Sequence, residues 1–337
     1  MLPEYVKFYY DALPPDHKAI YLQMYEAFKA RKNSVDIKVD PKTVSHGDLA
    51  YIFKCLHYDT PSFYFVNSSA YRWIERRDGY TFAKDFIYTP EQIARFDKAL
   101  ESGLEAFAKR YIKKGMSDYE KELAIHDYLV GVVSYDYEGL RDSDNHPEIY
   151  NTLGALLKKK AVCAGIASAF KLLCDYCHLK CFVVIGTSVD DDGNMGESHA
   201  WNMVKLDGKT YHVDATWDIR KQGDIRFCYD YVNLSDTLIK FDHTWDTDIY
   251  PKCNHLEYNY YRRNKLYVRR LVDISGYVQR ALQNGSGRVI FKFANKMPSD
   301  EAIKSELRAG VQAVRAFTGY RYIISRQTHN VYLRLID

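Results

Sequence analysis

The sequence predicts an α+β fold in three parts: a helical N-terminal region (residues 1–116), a central unit (117–250) and a small C-terminal α+β unit (251–337). Three observations support this prediction. Apolar residues recur at helical spacing in the first part, an Asp-Gly pair joins two strand-like segments in the second, and strand-like and helix-like segments alternate in the third. With 337 residues, 47% of them hydrophobic, the chain is long enough for several cooperating units.

Helices are expected throughout the N-terminal region, around a loop-rich middle. Thr89 is a candidate N-cap, Pro90 occupies the first turn after it, and Gly115 marks the expected end of that helix. Ser117 and Glu120 have capping-box spacing at the start of the next helix. The three segments with apolar residues three and four positions apart are EYVKFYYDAL, HKAIYLQMYEAFKARK and PEQIARFDKALESGLEAFAKRYIKKG.

A further helix and a buried strand are predicted in the central unit. From Val162, apolar residues fall at helical spacing as far as Cys177, and KCFVVIGTSV then has the composition of a buried strand. SHAWNMVKLDGKTYHVDATWD is predicted to form two strands, because Asp207-Gly208 strongly favours a tight hairpin turn.

The hairpin prediction also specifies which side chains lie together. With a two-residue loop, Met203 pairs with His212 and His199 pairs with Thr216. His199 and Asp214 are then diagonal neighbours, roughly 7 to 8 Å apart between backbones and within side-chain reach. Because side chains alternate along a strand, one face carries His199, Trp201, Met203, His212, Asp214 and Thr216.

Cys163 stands at the predicted start of the helix, where KKKAV gives way to small and apolar residues. Free backbone N–H groups and the helix dipole favour an anion there, so we expect a lowered thiol pKa. A cysteine beside an imidazole that is held in one tautomer by a carboxylate is an activated nucleophile. Cys163, His199 and Asp214 therefore form a candidate catalytic triad.

Three segments resemble the transglutaminase-like branch of the papain-like cysteine enzymes, in its bacterial form: KAVCAGIASAFKLL, GESHAWNMVKLDGKTYHVDATWD and YDYVNLSD. IHDYLV and DHTWD extend the resemblance. It implies a papain-like core in which the cysteine-bearing helix packs on an antiparallel sheet. It also implies that Cys163 is the nucleophile, His199 the base and Asp214 the orienting acid.

The sequence departs from the family pattern near the thiol. Ala164 stands where a polar Gln or Glu is usual, Ile166 where an aromatic residue is usual, and Leu153 replaces an upstream aromatic residue. Ala164 is therefore a candidate site-lining residue with altered substrate contacts.

Other candidate site residues have two interpretations each. Trp201 either screens the imidazole from water or lines the substrate groove, and His212 either helps to hold the acid or is structural. The backbone N–H of Cys163 is one expected oxyanion donor, and the second comes from a side chain such as Tyr135 or from another backbone group.

The resemblance implies acyl transfer on a peptide or carboxamide, with a peptide, protein or cell-wall peptide as substrate. Hydrolysis is preferred, and transfer to an amine is the alternative. A rival hypothesis from another class is a non-catalytic scaffold that binds peptides or glycans, since 30 tyrosines could supply such a surface.

Composition argues against several other classes. The 47 basic and 44 acidic residues are too balanced to indicate a nucleic-acid or membrane-surface protein. No apolar stretch is long enough for a membrane span, and the N-terminus does not resemble a signal peptide, so a cytoplasmic location is expected for the sequence as written. Export is the alternative, if a native signal was trimmed.

Cofactors and metals are not expected either. Seven cysteines are an odd number in a large chain, which favours reduced thiols over a disulfide framework. CDYCHLKC contains a C-x-x-C-H pattern, but small buried thiols explain it better than haem or zinc. A metal site built from His199, His212 and Asp214 ranks well behind the triad.

Overall fold

A computed structural model gives the fold of this protein. It describes residues 2–66, 71–189, 195–221, 229–285, 287–293, 296–314, 319–325 and 329–336. Among these residues, no helix is both long and apolar enough to cross a membrane.

The described residues of the N-terminal part form four α-helices and a small antiparallel sheet. The helices are α1 (Phe8–Ala12), α2 (Pro15–Lys29), α3 (His46–Asp59) and α4 (Pro90–Tyr111). The strands are β1 (Ser34–Lys38), β2 (Arg72–Arg76) and β3 (Gly79–Ala83), in the order β1-β3-β2.

The predicted helices are present in this part, with two differences. Thr89 caps α4 and forms a capping box with Gln92, as its sequence suggests, but the helix ends at Tyr111 instead of Gly115. The sheet was not predicted, because its strands are short and most of β2 is exposed, so the sequence shows no apolar alternation there.

The central part is built around a four-stranded antiparallel sheet in the order β8-β7-β6-β9. Its first elements are α5 (Asp118–Val132), β4 (Ser134–Tyr135), α6 (Tyr137–Arg141), β5 (Lys160–Ala161) and α7 (Cys163–Tyr176). They are followed by β6 (Lys180–Val189), β7 (Met195–Leu206), β8 (Lys209–Val213), α8 (Ala215–Lys221), α9 (Asp236–Ile239) and β9 (His243–Trp245). Helix α7 packs on β6 and β7, which is the papain-like arrangement that the sequence predicts.

The β7–β8 hairpin has the predicted register over most of its length. Met203 pairs with His212, and Asp207 and Gly208 form the turn with φ of 46° and 79°. The predicted pairing of His199 with Thr216 is wrong. β8 ends at Val213 and Thr216 lies in α8, because Asp214 turns the chain into that helix.

The C-terminal part is a four-stranded sheet in the order β10-β11-β13-β12 with two long helices. Its elements are α10 (Tyr260–Arg263), β10 (Tyr267–Val268), α11 (Asp273–Gln283), β11 (Arg288–Phe293), α12 (Asp300–Gln312), β12 (Gly319–Ser325) and β13 (Asn330–Ile336). β10 and β11 are parallel, and the other neighbours are antiparallel. The predicted order of strands and helices is confirmed.

Two large hydrophobic clusters account for most of the core. The first runs from Leu2 to Cys253 and joins the N-terminal and central parts, and the second runs from Val268 to Leu335. Asp230 links the two regions, since Tyr261 donates a hydrogen bond to it at 2.7 Å and Tyr332 donates another. The proposed boundaries at 116 and 250 stay predictions.

Helix α1 of the N-terminal part is bound to the central sheet by a hydrogen bond and by ring stacking. The Asp59 carboxylate at the end of α3 accepts the backbone N–H groups of Tyr9 at 3.1 Å and Tyr10 at 2.8 Å. The Tyr9 hydroxyl in turn donates to the Val183 carbonyl at 2.8 Å, and the Phe8 ring stacks on Phe182 with centroids 3.9 Å apart. Helix α1 therefore covers β6.

Candidate active site

Cys163 is the first residue of α7, and its side chain is partly exposed, unlike most of the helix behind it. The helix is buried almost all around because it is rich in small residues. Gly165 allows the closest approach, since a Cβ there would lie 2.3 Å from the Ile149 carbonyl oxygen. Close packing of the helix therefore fixes the position of the thiol at its N-terminal end.

His199 and Asp214 come from β7 and from the residue after β8. The His199 Nε2 lies 2.7 Å from the Asp214 Oδ2, and both side chains are buried. The other oxygen, Oδ1, accepts the backbone N–H groups of Thr216 at 2.8 Å and Trp217 at 3.2 Å. Asp214 therefore holds the imidazole while it also caps the first turn of α8.

The pKa values of this pair are shifted strongly. Burial alone would raise the pKa of Asp214, but the charge and hydrogen bonds of His199 and His243 hold it well below its usual value. Burial likewise lowers the pKa of His199, but the charge and hydrogen bond of Asp214, with a smaller contribution from Cys163, outweigh it and raise that pKa to about 10. At neutral pH the pair is a carboxylate and an imidazolium.

Cys163 lies close enough to His199 to contribute to the rise of the His199 pKa. Because Asp214 occupies Nε2, Nδ1 is the ring nitrogen left for the thiol. The three residues predicted from the sequence thus lie together, with His199 bound to Asp214 and close to Cys163.

His243 is a site residue that sequence reasoning missed. Its Nε2 lies 3.0 Å from the same Asp214 Oδ2, and its Nδ1 lies 2.6 Å from Asp242 Oδ1. It reaches this position on β9, where Ser188 of β6 is its cross-strand partner. The DHTWD motif contains this histidine, but nothing local in the sequence pairs β9 with β6.

Trp201 lies behind His199, not in an open groove. Its ring is stacked on the imidazole with centroids 5.7 Å apart, and only 1% of the residue is exposed. This position matches the first interpretation of Trp201, that it screens the imidazole from water.

His212 does not hold Asp214. Its Nδ1 accepts a hydrogen bond from the Trp201 indole at 3.0 Å, and its Nε2 donates to Asp236 at 2.9 Å. The second imidazole on Asp214 comes from His243 instead. His212 therefore contacts Trp201, which in turn stacks on His199, and has an indirect, structural role in the site.

Ala164 follows the nucleophile in α7, and Tyr135 lies on the strand next to the residues that precede it. Ala164 is half-buried and packs in a small apolar cluster that includes Tyr58 and Ile185. Tyr135 is half-buried on β4, where it pairs with Ala161, two positions before Cys163.

Tyr58, from α3, connects the thiol to a groove formed by the N-terminal part. Burial raises the pKa of Tyr58 to about 12, with smaller contributions from Tyr250 and Cys163, which places its hydroxyl within electrostatic reach of the thiol. The same residue lines a groove of 450 Å³ with Ala50, Tyr51, Phe53, Lys54, His57 and Tyr71. No sequence signal indicated this neighbour.

Two clusters of potential metal ligands occur among the described residues. They are His199, Asp214 and His243, and His212, Asp236 and Cys253, with ligand atoms within 4.8 Å of one another in each. The set considered from the sequence, His199, His212 and Asp214, is split between the two clusters. The hydrogen bonds within each cluster already account for the positions of its imidazoles and carboxylates.

The described cysteines are free thiols, and Cys228 lies outside the described residues. Cys174 and Cys177, from the C-x-x-C-H pattern, are buried in and just after α7. Burial raises the pKa of Cys177 to about 11. These two thiols are packing residues of the core.

Comparison with known proteins finds similarity to one family in the central segment. Residues 105–215 match the model of the transglutaminase-like superfamily. The kyphoscoliosis peptidase of Mus musculus is 29% identical over 124 residues, which are 35% of this chain and 18% of the relative. The kyphoscoliosis peptidase of Homo sapiens is 28% identical over 142 residues, 40% of this chain and 20% of the relative. Each match spans about a fifth of the relative's length.

A solved structure described as a TGase is 14% identical, with a TM-score of 0.30, and covers 54% of this chain and 50% of that chain. The matched segment includes Cys163, His199 and Asp214, whereas Tyr58 and His243 lie outside it. The bacterial form of the family that the motifs suggest stays a prediction. The transglutaminase-like superfamily is therefore what residues 105–215 of this chain resemble.

Proposed function

We propose that this protein is a cysteine-dependent enzyme that hydrolyses a peptide or carboxamide bond. The observation that carries the proposal is the Cys163–His199–Asp214 chain, in which a buried carboxylate lies 2.7 Å from an imidazole whose pKa is raised to about 10. An imidazolium next to a thiol stabilises the thiolate, which is the nucleophilic form of cysteine.

In the proposed reaction, the Cys163 thiolate attacks the substrate carbonyl carbon and forms a tetrahedral intermediate. The C–N bond then breaks, the imidazolium of His199 gives its proton to the leaving amine, and a thioester remains. The neutral imidazole next takes a proton from water, hydroxide attacks the thioester and the C–S bond breaks. Thiolate and imidazolium are thereby restored, while Asp214 keeps the ring oriented throughout.

The backbone N–H of Cys163 is the first proposed oxyanion donor, since the N-terminal N–H groups of a helix have no partner within the helix. The second donor is either the Tyr135 hydroxyl or another backbone group. Both choices are compatible with the position of β4 next to the residues that precede Cys163.

The groove lined by Tyr58 supports a substrate with an aromatic or apolar side chain close to the scissile carbonyl. Tyr51 and Tyr71 are 43% and 39% exposed, so their rings are available to a ligand. His57 adds little charge, because burial lowers its pKa to about 4. Tyr58 lines the groove and is also close to Cys163. A substrate could therefore place a side chain in the groove while its scissile carbonyl lies at the thiol.

Alkylation by iodoacetamide, mapped by mass spectrometry, tests the nucleophile. We expect Cys163 to react at least about a hundredfold faster than Cys55 and Cys253 at pH 7, because burial raises the pKa of those two thiols. His199→Ala should slow the reaction of Cys163, while Cys253→Ser serves as a matched control that leaves it unchanged. Equal rates for all thiols would favour the non-catalytic scaffold.

Product analysis distinguishes hydrolysis from transfer. An activated amide with an aromatic acyl group is incubated with the protein, and the acyl-enzyme is trapped by acid quench and detected as a mass increase on Cys163. Free acid as the dominant product in the presence of a millimolar primary amine is the expected result. A dominant amide product would instead identify transfer, and absence of the adduct in the wild-type protein would refute the enzyme proposal.

A further inference from the structure

The near-balance of charge in the whole chain conceals a strong asymmetry along it. Residues 260–337 contain 15 Lys and Arg residues and 5 Asp and Glu residues, a net charge of +10. Residues 1–259 contain 32 basic and 39 acidic residues, a net charge of −7. The C-terminal part is therefore a strongly basic unit.

A cleft lies on this basic unit, next to β10 and the first turns of α11. It has a volume of 670 Å³, and three cationic side chains line it: Lys265, Arg269 and Arg280. All three residues are exposed. The remaining walls are apolar or aromatic, with Val268, Val272, Tyr267, Tyr277 and Ala281 among them.

The acidic residue in the cleft wall is bound mainly by Arg270, and Arg280 makes only a smaller contribution to its lowered pKa. Asp273 is bound by Arg270, with Nη2 to Oδ1 at 2.6 Å and Nε to Oδ2 at 3.1 Å, so its charge is already matched by a neighbour. Arg280 stays close to the helix surface, because a Cβ at Gly276 would lie 3.4 Å from its Nη1. The cleft is left with an excess of positive charge.

The tyrosines give the cleft a second recognition element. Tyr277 is fixed by a hydrogen bond from its hydroxyl to the Ile290 carbonyl at 3.2 Å, so its ring is an ordered wall. Val272 is 65% exposed and adds apolar surface to the cleft wall. Cations beside aromatic and apolar walls suit a ligand that has carboxylates on a partly apolar backbone.

We propose that this cleft binds an acidic peptide segment. A long nucleic acid is less compatible with the molecule, because it would extend from the basic unit over a remainder with net charge −7 and be repelled there. A short run of Asp or Glu residues fits within the cleft and places its carboxylates on the three cations. This binding does not depend on the chemistry at Cys163.

Fluorescence anisotropy with a labelled octaglutamate peptide tests the proposal on the full chain. The neutral octaglutamine peptide and an octathymidylate oligonucleotide are the comparison ligands. The test variant carries Lys265→Gln, Arg269→Gln and Arg280→Gln. A matched control carries Lys296→Gln, Lys304→Gln and Arg308→Gln, which remove the same charge from exposed positions that do not line the cleft.

The cleft variant is expected to bind octaglutamate at least about tenfold more weakly than the wild type, and the matched control less than about threefold more weakly. Binding should also weaken when NaCl is raised from about 50 to about 500 mM. Equal losses in both variants would overturn the proposal, since they would indicate net charge alone. Tighter binding of octathymidylate than of octaglutamate, or no binding of octaglutamate, would also overturn it. Measurements on Cys163→Ala protein should give the same affinities, which separates this proposal from the proposed reaction.

Discussion

Replacing His243 with phenylalanine removes one of the two imidazoles that bind Asp214 Oδ2 and keeps an aromatic ring in the same buried space. In the wild-type protein Asp214 accepts hydrogen bonds from His199, His243 and two backbone N–H groups. Loss of the His243 donor makes the carboxylate a stronger base. It should therefore hold the proton of His199 more tightly, and the imidazolium should become a poorer acid toward the leaving amine.

The size of this effect follows from the contact that is lost. A hydrogen bond to a charged group contributes about 1.5 to 3 kcal/mol. If the loss of this bond strengthens the interaction of Asp214 with His199 by the same amount, the pKa of His199 rises by about one to two units. We expect kcat/KM to fall about tenfold or more. The alkaline limb of its pH profile, set near pH 10 by His199, should move upward by about one unit.

The assay measures kcat/KM for an activated amide between about pH 5 and 11, together with the thermal unfolding midpoint. His243→Gln is the companion variant, because its amide retains an N–H donor and should show a smaller shift if it reaches Asp214. A His243→Phe enzyme that remains folded, with kcat/KM and alkaline limb both unchanged, would refute the inference that His243 tunes the acid.

Three further predictions concern other buried or site-lining groups. Burial raises the pKa of Glu122 to about 8, so this carboxyl ionises at lower pH in the unfolded chain and the protein loses stability as pH rises from about 4.5 to 8. In urea unfolding, the free energy of unfolding of Glu122→Gln relative to the wild type should be about 1 to 3 kcal/mol more favourable at pH 8 than at pH 5. An equal effect at both pH values would contradict this. Asp59→Asn leaves one acceptor oxygen for the Tyr9 and Tyr10 N–H groups, so it should lower the free energy of unfolding by about 1 to 3 kcal/mol and speed proteolysis near α1. Unchanged stability would count against the role of Asp59 in anchoring α1. Tyr58→Ala should lower the preference for aromatic over alanine-containing peptides about tenfold in kcat/KM, and an unchanged ratio would remove the groove from the substrate site.

The parts of the site that could be predicted are those encoded over short distances in the chain. The Asp207-Gly208 turn fixes which residues of β7 and β8 are opposite, so the proximity of His199 and Asp214 follows from counting positions. The start of α7 is likewise visible in the change from lysines to small apolar residues. The hairpin prediction extended β8 too far, because the strand ends at Val213 and Asp214 caps α8.

The parts that could not be predicted depend on contacts between distant segments. His243 reaches Asp214 only because β9 pairs with β6, and three cross-strand partners are too few to leave a pattern in the sequence. Tyr58 reaches the site because α3 is held against the central sheet through α1. Neither arrangement has a local signal, so only the fold locates these two residues.

The attachment of α1 and β9 to β6 limits how the central segment could be transferred to another protein. A fragment cut to residues 105–215 would have no β9 beside Gly186–Ser188 and no Phe8 ring over Phe182. Its sheet would then present a bare edge next to an uncovered apolar surface, and two such fragments could join edge to edge. A transferred segment would therefore fold correctly only if it also included the flanking helices and β9.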